Sequence, residues 1–257
     1  MQQEHKEILS ETQRYVTCQI LSCFFGLHLL PQILVGLHSQ TKTKIVTSAL
    51  NKPVEVPDIH FRLVHAHDPI HGNNVLQLGI LLFLIFSMFS MYLVTKPIAE
   101  HSTIVVFVFR GSMGIVLGVP MFYVGAVLFG APMTELVTQT MTWSVIQSMF
   151  VVLPLAAARK FEIHLWKRVY ALNDARSVFE LCSSWAGIGS IIGAWFGACL
   201  IPLDWDEPWQ KWPITLIYGG SLGFVVGHVV GYYQIKKRLK KKGMFPFLVP
   251  KTMREKL

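Results

Sequence analysis

The chain has 257 residues, 52% of them hydrophobic and only 15% charged, with a formal net charge of +8 and a mean hydropathy of +0.45. Soluble globular domains carry about 25% charged residues, so this composition excludes an ordinary soluble enzyme or binding module and points to a chain that meets lipid.

Long apolar runs, rather than alternating ten-residue strands, predict an all-α polytopic membrane protein. Only helices and closed barrels satisfy their backbone in lipid, and a helix needs about 20 apolar residues to cross it. Six spans are expected. The first, about 16–37, follows a polar stretch over Met1–Tyr15 and precedes no small-residue cleavage site, so it reads as a retained helix. The loop after it contains "HFRLVHAHDPIH", with His60, His65, His67, Asp68 and His71. These are zinc-compatible residue types. Their spacing matches no compact motif, however, and Pro57 and Pro69 make the segment irregular, so a solvated loop is favoured and no metal or cofactor is expected.

The second and third spans are expected at about 75–95 and 103–130. Arg110 interrupts the third, seven residues after Thr103, or about 10 Å along a helix. A side chain at that depth reaches the interface by snorkelling; an ion pair with another helix is the alternative. The fourth span is expected at 139–158. Before the fifth, at 183–203, comes "NDARSVFE", which places Glu180 at the boundary as a partly solvated carboxylate with Arg110 a conceivable partner. The sixth is expected at 213–233. Pro31, Pro120 and Pro154 fall inside spans, where neighbouring helices accommodate a kink.

Glycines recur every four residues in the last two spans: Gly189, Gly193 and Gly197, then Gly219, Gly223, Gly227 and Gly231. In lipid, close packing drives helix association, and small residues at this spacing mark the contact face. The pattern leaves open whether the contact is within the chain or with a partner; consecutive helices on a short turn make the intrachain pair the default. His228 lies beside the stripe and reads as a hydrogen-bonded core residue.

Basic residues set the orientation. On the side of the termini lie two before the first span, Lys96, five from Arg159 to Arg176 and nine after Tyr233; the other side has Lys42, Lys44, Lys52, Arg62 and Lys211. The bias places both termini in the cytosol. The tail "KKRLKKK", Lys236–Lys242, reads as an orientation signal, with an anionic-lipid contact as the alternative. No nucleic-acid module accompanies it. Cys18, Cys23, Cys182 and Cys199 form no CxxC pair. The five aspartates form no metal-binding box, and no nucleophile elbow, phosphate loop or dinucleotide fingerprint is present. No catalytic residue is expected.

Between the glycine-rich spans stands "IPLDWDEPWQKWP", Ile201–Pro213. Pro202, Pro208 and Pro213 restrict the backbone; Trp205, Trp209 and Trp212 suit the headgroup layer; Asp204, Asp206 and Glu207 offer acceptors for the turn, as caps, or for a partner.

The wider stretch "GAWFGACLIPLDWDEPWQKWPI", Gly193–Ile214, resembles the signature of the Pig-F family, as do "FGAPMTEL" at Phe129–Leu136, "RVY" at Arg168–Tyr170 and the glycine-rich sixth span. The resemblance covers about Phe129–Tyr233; the amino-terminal half, with its histidine loop, falls outside it. It implies a multi-pass endoplasmic-reticulum membrane protein without catalytic activity of its own. Such a subunit binds and stabilises large ethanolamine phosphate transferases, which modify mannose of the glycosylphosphatidylinositol (GPI) anchor precursor with their own metal-binding lumenal domains. By the six-span count the turn faces the lumen. It is then either a rigid lid that orients two helices or a direct contact with the catalytic subunit; metal or lipid-headgroup binding by its acids is less favoured. From other classes come a small transporter or lipid-handling protein using Arg110, Glu180 and His228, and a phosphotransferase using the histidines with Asp204 and Asp206.

Overall fold

A computed structural model of the protein describes residues 2–24, 81, 84–89, 91–92, 103–158, 163–172, 174–203, 210 and 212–240. The regular structure among them is helical throughout. In chain order the elements are α1 (Gln2–Cys23), α2 (Ile104–Leu128), α3 (Val137–Ala158), α4 (Ile163–Trp166) running into a π turn (Lys167–Ala171), α5 (Val178–Ala198) and α6 (Ile214–Lys240). Four of these, α2, α3, α5 and α6, are long and apolar enough to cross a membrane. They correspond to the third to sixth expected spans; most of the first and second lies outside the described residues. The chain divides into two compact units, Leu21–Ser87 and the remainder. The remainder contains α2 to α6.

α3 is the most enclosed of these helices, with Phe150, Leu153 and Leu155 fully buried. Gly111, Gly114 and Gly118 turn one face of α2 towards it, so that a Cβ at Gly114 would meet Ala156 and one at Gly118 would meet Ser148 and Val152. This stripe has a legible three- and four-residue spacing, yet it is not among the contact faces expected from sequence. The opposite face of α2, with Val105, Phe109, Val116 and Val124, is exposed, as a lipid-facing helix surface should be.

Local sequence explains the helix ends. α2 stops in a Schellman arrangement: Ala131 N–H donates to Ala126 O at 2.9 Å and Gly130 N–H to Val127 O at 3.0 Å. Gly130 takes φ +100°, a left-handed conformation that costs glycine little. "FGAPMTEL" is thus the turn from α2 into α3, and Tyr123 Oη closes it by donating to Met133 O at 3.0 Å.

α5 begins at Val178, five residues before the expected Ser183. Ser177 is its N-cap, its Oγ accepting from Glu180 N–H at 3.0 Å, while the Glu180 carboxylate reaches back to Arg176 N–H at 2.8 Å. This is a capping box shifted by one residue, and its Ser-x-x-Glu spacing is present in the sequence. α6 runs to Lys240, beyond the expected Tyr233, because Gln, Lys, Arg and Leu are good helix formers and no breaker occurs before Gly243.

Candidate functional site

α5 and α6 form an antiparallel pair held at backbone contact. A Cβ added at Gly189 would run into Gly223 O, at Gly193 into Gly219 O, at Gly197 into Thr215 O and at Gly227 into Trp185 O; a Cβ at Gly231 would lie 3.0 Å from Cys182 Cα. The structure therefore brings all seven glycines singled out in the sequence onto one line of approach. Gly189–Gly223, Gly193–Gly219, Gly197–Thr215 and Gly227–Trp185 follow one register, and Gly231 meets Cys182 one residue off it. Such proximity replaces side-chain knobs by peptide-on-peptide packing, with weak Cα–H···O contacts available along the seam.

On the outer side of this seam the pair leaves an apolar groove of about 780 Å³, with Gly189 and Gly223 among its floor residues and Ile192, Phe196, Leu222 and Val226 on its walls. Ile192, Phe196, Leu222 and Val226 are all at least half exposed. On the inner side, Gln147 of α3 donates to Ser190 Oγ at 2.6 Å, and Phe150 stacks on Phe224 at 4.3 Å between centroids. These contacts fix the glycine pair against α3.

Among the described residues of the turn between the two helices, Gln210 and Trp212 make the side-chain hydrogen bonds. Gln210, 7% exposed, donates Nε2 to Leu200 O at 2.9 Å and to Leu203 O at 2.7 Å, satisfying carbonyls past the end of α5. Trp212 points inward from the turn: its Nε1–H donates to Thr140 Oγ1 at 3.0 Å and its ring lies 6.3 Å from that of Trp143. The reason is a pocket formed by Ala126, Ala131, Trp143, Ala194 and Leu216 under the turn, which accepts the indole face and leaves its N–H a buried hydroxyl as partner. Pro213 is buried behind a cis Trp212–Pro213 bond and Pro202 is exposed. Asp204, Trp205, Asp206, Glu207, Pro208 and Trp209 lie outside the described residues, as do His60, His65, His67 and His71. Among the described residues no group of three or more His, Cys, Asp or Glu is gathered for a metal ion. Gln210 carries no role in the sequence expectations, because a capping amide ten residues from its acceptor has no local signature. Replacing it with Leu is expected to cost about 1 kcal/mol, as the Leu200 and Leu203 carbonyls, both on half-exposed residues, lose their donor, read as a lower melting temperature of the detergent-solubilised chain.

At the other end of α5 the expectation for Glu180 is overturned. It is 1% exposed rather than partly solvated, because α5 begins earlier and carries it inside. Its partner is Arg168, whose Nη2 lies 3.0 Å from Glu180 Oε2 while Nη1 donates to Asp174 O at 2.6 Å. Tyr170, two residues further along the π turn, donates to Val151 O at 2.7 Å and lies over Gly187; burial pushes its hydroxyl pKa up and keeps it a donor. The "RVY" residues thus lock the α3–α5 connection. Arg110 is half-buried on α2 and forms no ion pair among the described residues. His228 is fully buried, its Nδ1 3.1 Å from Phe224 O and its ring against those of Phe224 and Tyr15. Tyr15 Oη in turn lies 3.4 Å from Ser183 Oγ, which ties α1 to the α5–α6 pair.

The family model described as "GPI biosynthesis protein family Pig-F" matches residues 58–232. The chain belongs to the Pig-F family. The match starts well before Phe129, so the segment with His60, His65, His67 and His71, expected from sequence to lie outside the family pattern, falls within it. The chain is 39% identical over 124 residues to the human "GPI ethanolamine phosphate transferase, stabilizing subunit", covering 47% of this chain and 57% of that protein. The mouse protein of the same name is 39% identical over 119 residues, 45% of this chain and 54% of that one. A fission-yeast "PIGF/3-ketodihydrosphingosine reductase fusion protein" is 38% identical over 122 residues, 47% of this chain and 24% of the fusion. The matched segment spans little more than half the length of the mammalian relatives. No solved structure matches the chain.

Proposed function

We propose that this chain is a non-catalytic, multi-pass subunit of the endoplasmic-reticulum membrane. In this reading it binds and stabilises the large ethanolamine phosphate transferases that add ethanolamine phosphate to mannose of the GPI-anchor precursor. The observation that carries the proposal is family membership over residues 58–232, together with the "stabilizing subunit" in the names of the human and mouse relatives. The geometry agrees with a scaffold. The buried side chains of Gln147, Glu180, Gln210 and His228, and half-buried Trp212, bond to neighbouring helices or backbone.

The contact surface we assign to the partner is the outer groove of α5 and α6, where exposed Phe196, Leu222 and Val226 flank the glycine floor. A partner helix gains its association energy there from shape and close approach. The distribution of basic residues supports termini in the cytosol and, with six spans, an Ile201–Pro213 turn in the lumen. Removing the chain from cells should lower the steady-state level of the transferase subunits and the amount of GPI-anchored protein at the surface, with both restored on re-expression. Unchanged transferase abundance would sink the proposal.

A further inference from the structure

Beyond any role towards transferases, we propose that the end of α6 and the α4–α5 connection together form one docking site for anionic phospholipid headgroups. α6 has 27 residues, about 40 Å of helix, whereas a hydrocarbon core of about 30 Å takes up roughly 20 residues. Its last turns therefore stand in the headgroup layer. They are not a free tail: Ile235 and Leu239 are buried, which fixes the helix rotation and turns Lys236, Lys237 and Lys240 outward, all exposed. Arg238, on a third face, reaches Ala175 O at 3.4 Å. That bond sets the end of α6 beside the segment that carries Lys167, Arg168, Asp174 and Arg176.

Among the described residues the charges brought together do not cancel. Glu180 engages Arg168 at 3.0 Å, and Asp174 engages Arg176 at 3.4 Å on the surface. Among the described residues Lys167, Lys236, Lys237 and Lys240 form no ion pair. Four unpaired ammonium groups from two elements, held at headgroup depth next to a membrane-crossing helix, are complementary to an anionic leaflet. Each cation near such a surface strengthens association about fivefold. Favourable placement of cations at the helix C-terminus accounts for lysines on α6 but not for Lys167, which lies in the π turn.

The test uses the full chain in phosphatidylcholine nanodiscs containing spin-labelled phosphatidylserine or phosphatidylcholine, with the motionally restricted fraction as readout. Selectivity for phosphatidylserine is expected and should decline as sodium chloride rises from 0.05 to 0.5 M, over which the Debye length falls several-fold, from roughly 14 Å to about 4 Å. Lys167→Gln should lower selectivity about threefold to fivefold with Lys167→Arg unchanged, and Lys236→Gln/Lys237→Gln/Lys240→Gln should remove most of it. No preference for phosphatidylserine overturns the proposal. So does a Lys167→Gln protein that melts normally and keeps full selectivity, which would leave the α6 lysines acting alone. Displacement by millimolar glycerol phosphate would instead identify a site for free phosphate and equally overturn it.

Discussion

Gly223→Leu is expected to break the α5–α6 pair and cause a large loss of stability. A Cβ at this position would run into Gly189 O and lie 3.0 Å from Gly193 Cα. The obstacle is backbone on a facing helix, not the tip of a side chain that can swing away, so the helices themselves must separate. Overpacking in a well-filled core costs about 1–3 kcal/mol and occasionally more. The upper end is expected here, because separation at Gly223 also opens the neighbouring contacts at Gly193, Gly219 and Gly227. Gly193→Leu should behave alike. Gly125, with nothing within 4 Å of its added Cβ, supplies the contrast: Gly125→Ala should be neutral or stabilising by up to about 1 kcal/mol, since glycine inside a helix costs about that relative to alanine. Thermal unfolding of the detergent-solubilised chain decides the matter. Equal melting temperatures for Gly223→Leu and Gly125→Ala would show that the two helices do not meet in this register.

The same variants separate two roles for the groove. Gly223→Leu that melts early and loses transferase together is explained by the fold alone. Leu222→Ser and Val226→Ser alter exposed wall residues without touching the seam, so the chain should melt near the unaltered temperature. Loss of transferase co-purification in that variant would assign the groove to the partner, and retention would remove the groove from the proposed interface while leaving the stabilising role standing.

What the sequence makes legible follows the range of the interactions. Spacing of four along α5 and α6 is a property of a single helix, so Gly189, Gly193, Gly197, Gly219, Gly223, Gly227 and Gly231 read as a face from the order of residues alone. The apolar runs behind α2, α3, α5 and α6 are legible for the same reason. Long-range pairings are not. Trp212 finds Thr140 across 72 residues, and an indole with a polar edge suits a headgroup layer or a buried hydroxyl equally well until the pocket around Trp143 is known. Gln210 and Tyr170 serve backbone carbonyls at Leu200 and Val151, acceptors that every residue possesses and no side-chain pattern reveals. Glu180 is a different case, since its capping signal is local and readable. Hydropathy alone puts the helix start at Ser183, because charged residues lower a hydropathy average even when they begin a helix.

Arg168→Met is expected to destabilise the protein more than Glu180→Gln does, although each removes one half of the same ion pair. The asymmetry arises from burial: the Glu180 side chain is 2% exposed and that of Arg168 19%. Without its guanidinium partner the carboxylate stays enclosed with its charge, a situation that costs about 3–5 kcal/mol when buried pairs are broken. The lower end of that range applies, since Arg176 N–H still donates to Glu180 Oε2. Glu180→Gln keeps an acceptor for that N–H and leaves a cation that can turn towards water, so about 1–2 kcal/mol is expected. Arg168→Lys should resemble Arg168→Met more than the native chain, because one ammonium cannot reproduce the two-direction fork that joins Asp174 O and Glu180. Arg168→Met/Glu180→Leu should recover part of the loss by removing the stranded charge, but not all, since the N-terminal cap of α5 goes with it. Melting temperatures of the four proteins test the order. If Arg168→Met proved no worse than Glu180→Gln, burial would not be what sets the cost, and the α4–α5 connection would owe its position to Tyr170 and the Ser177 cap rather than to the ion pair.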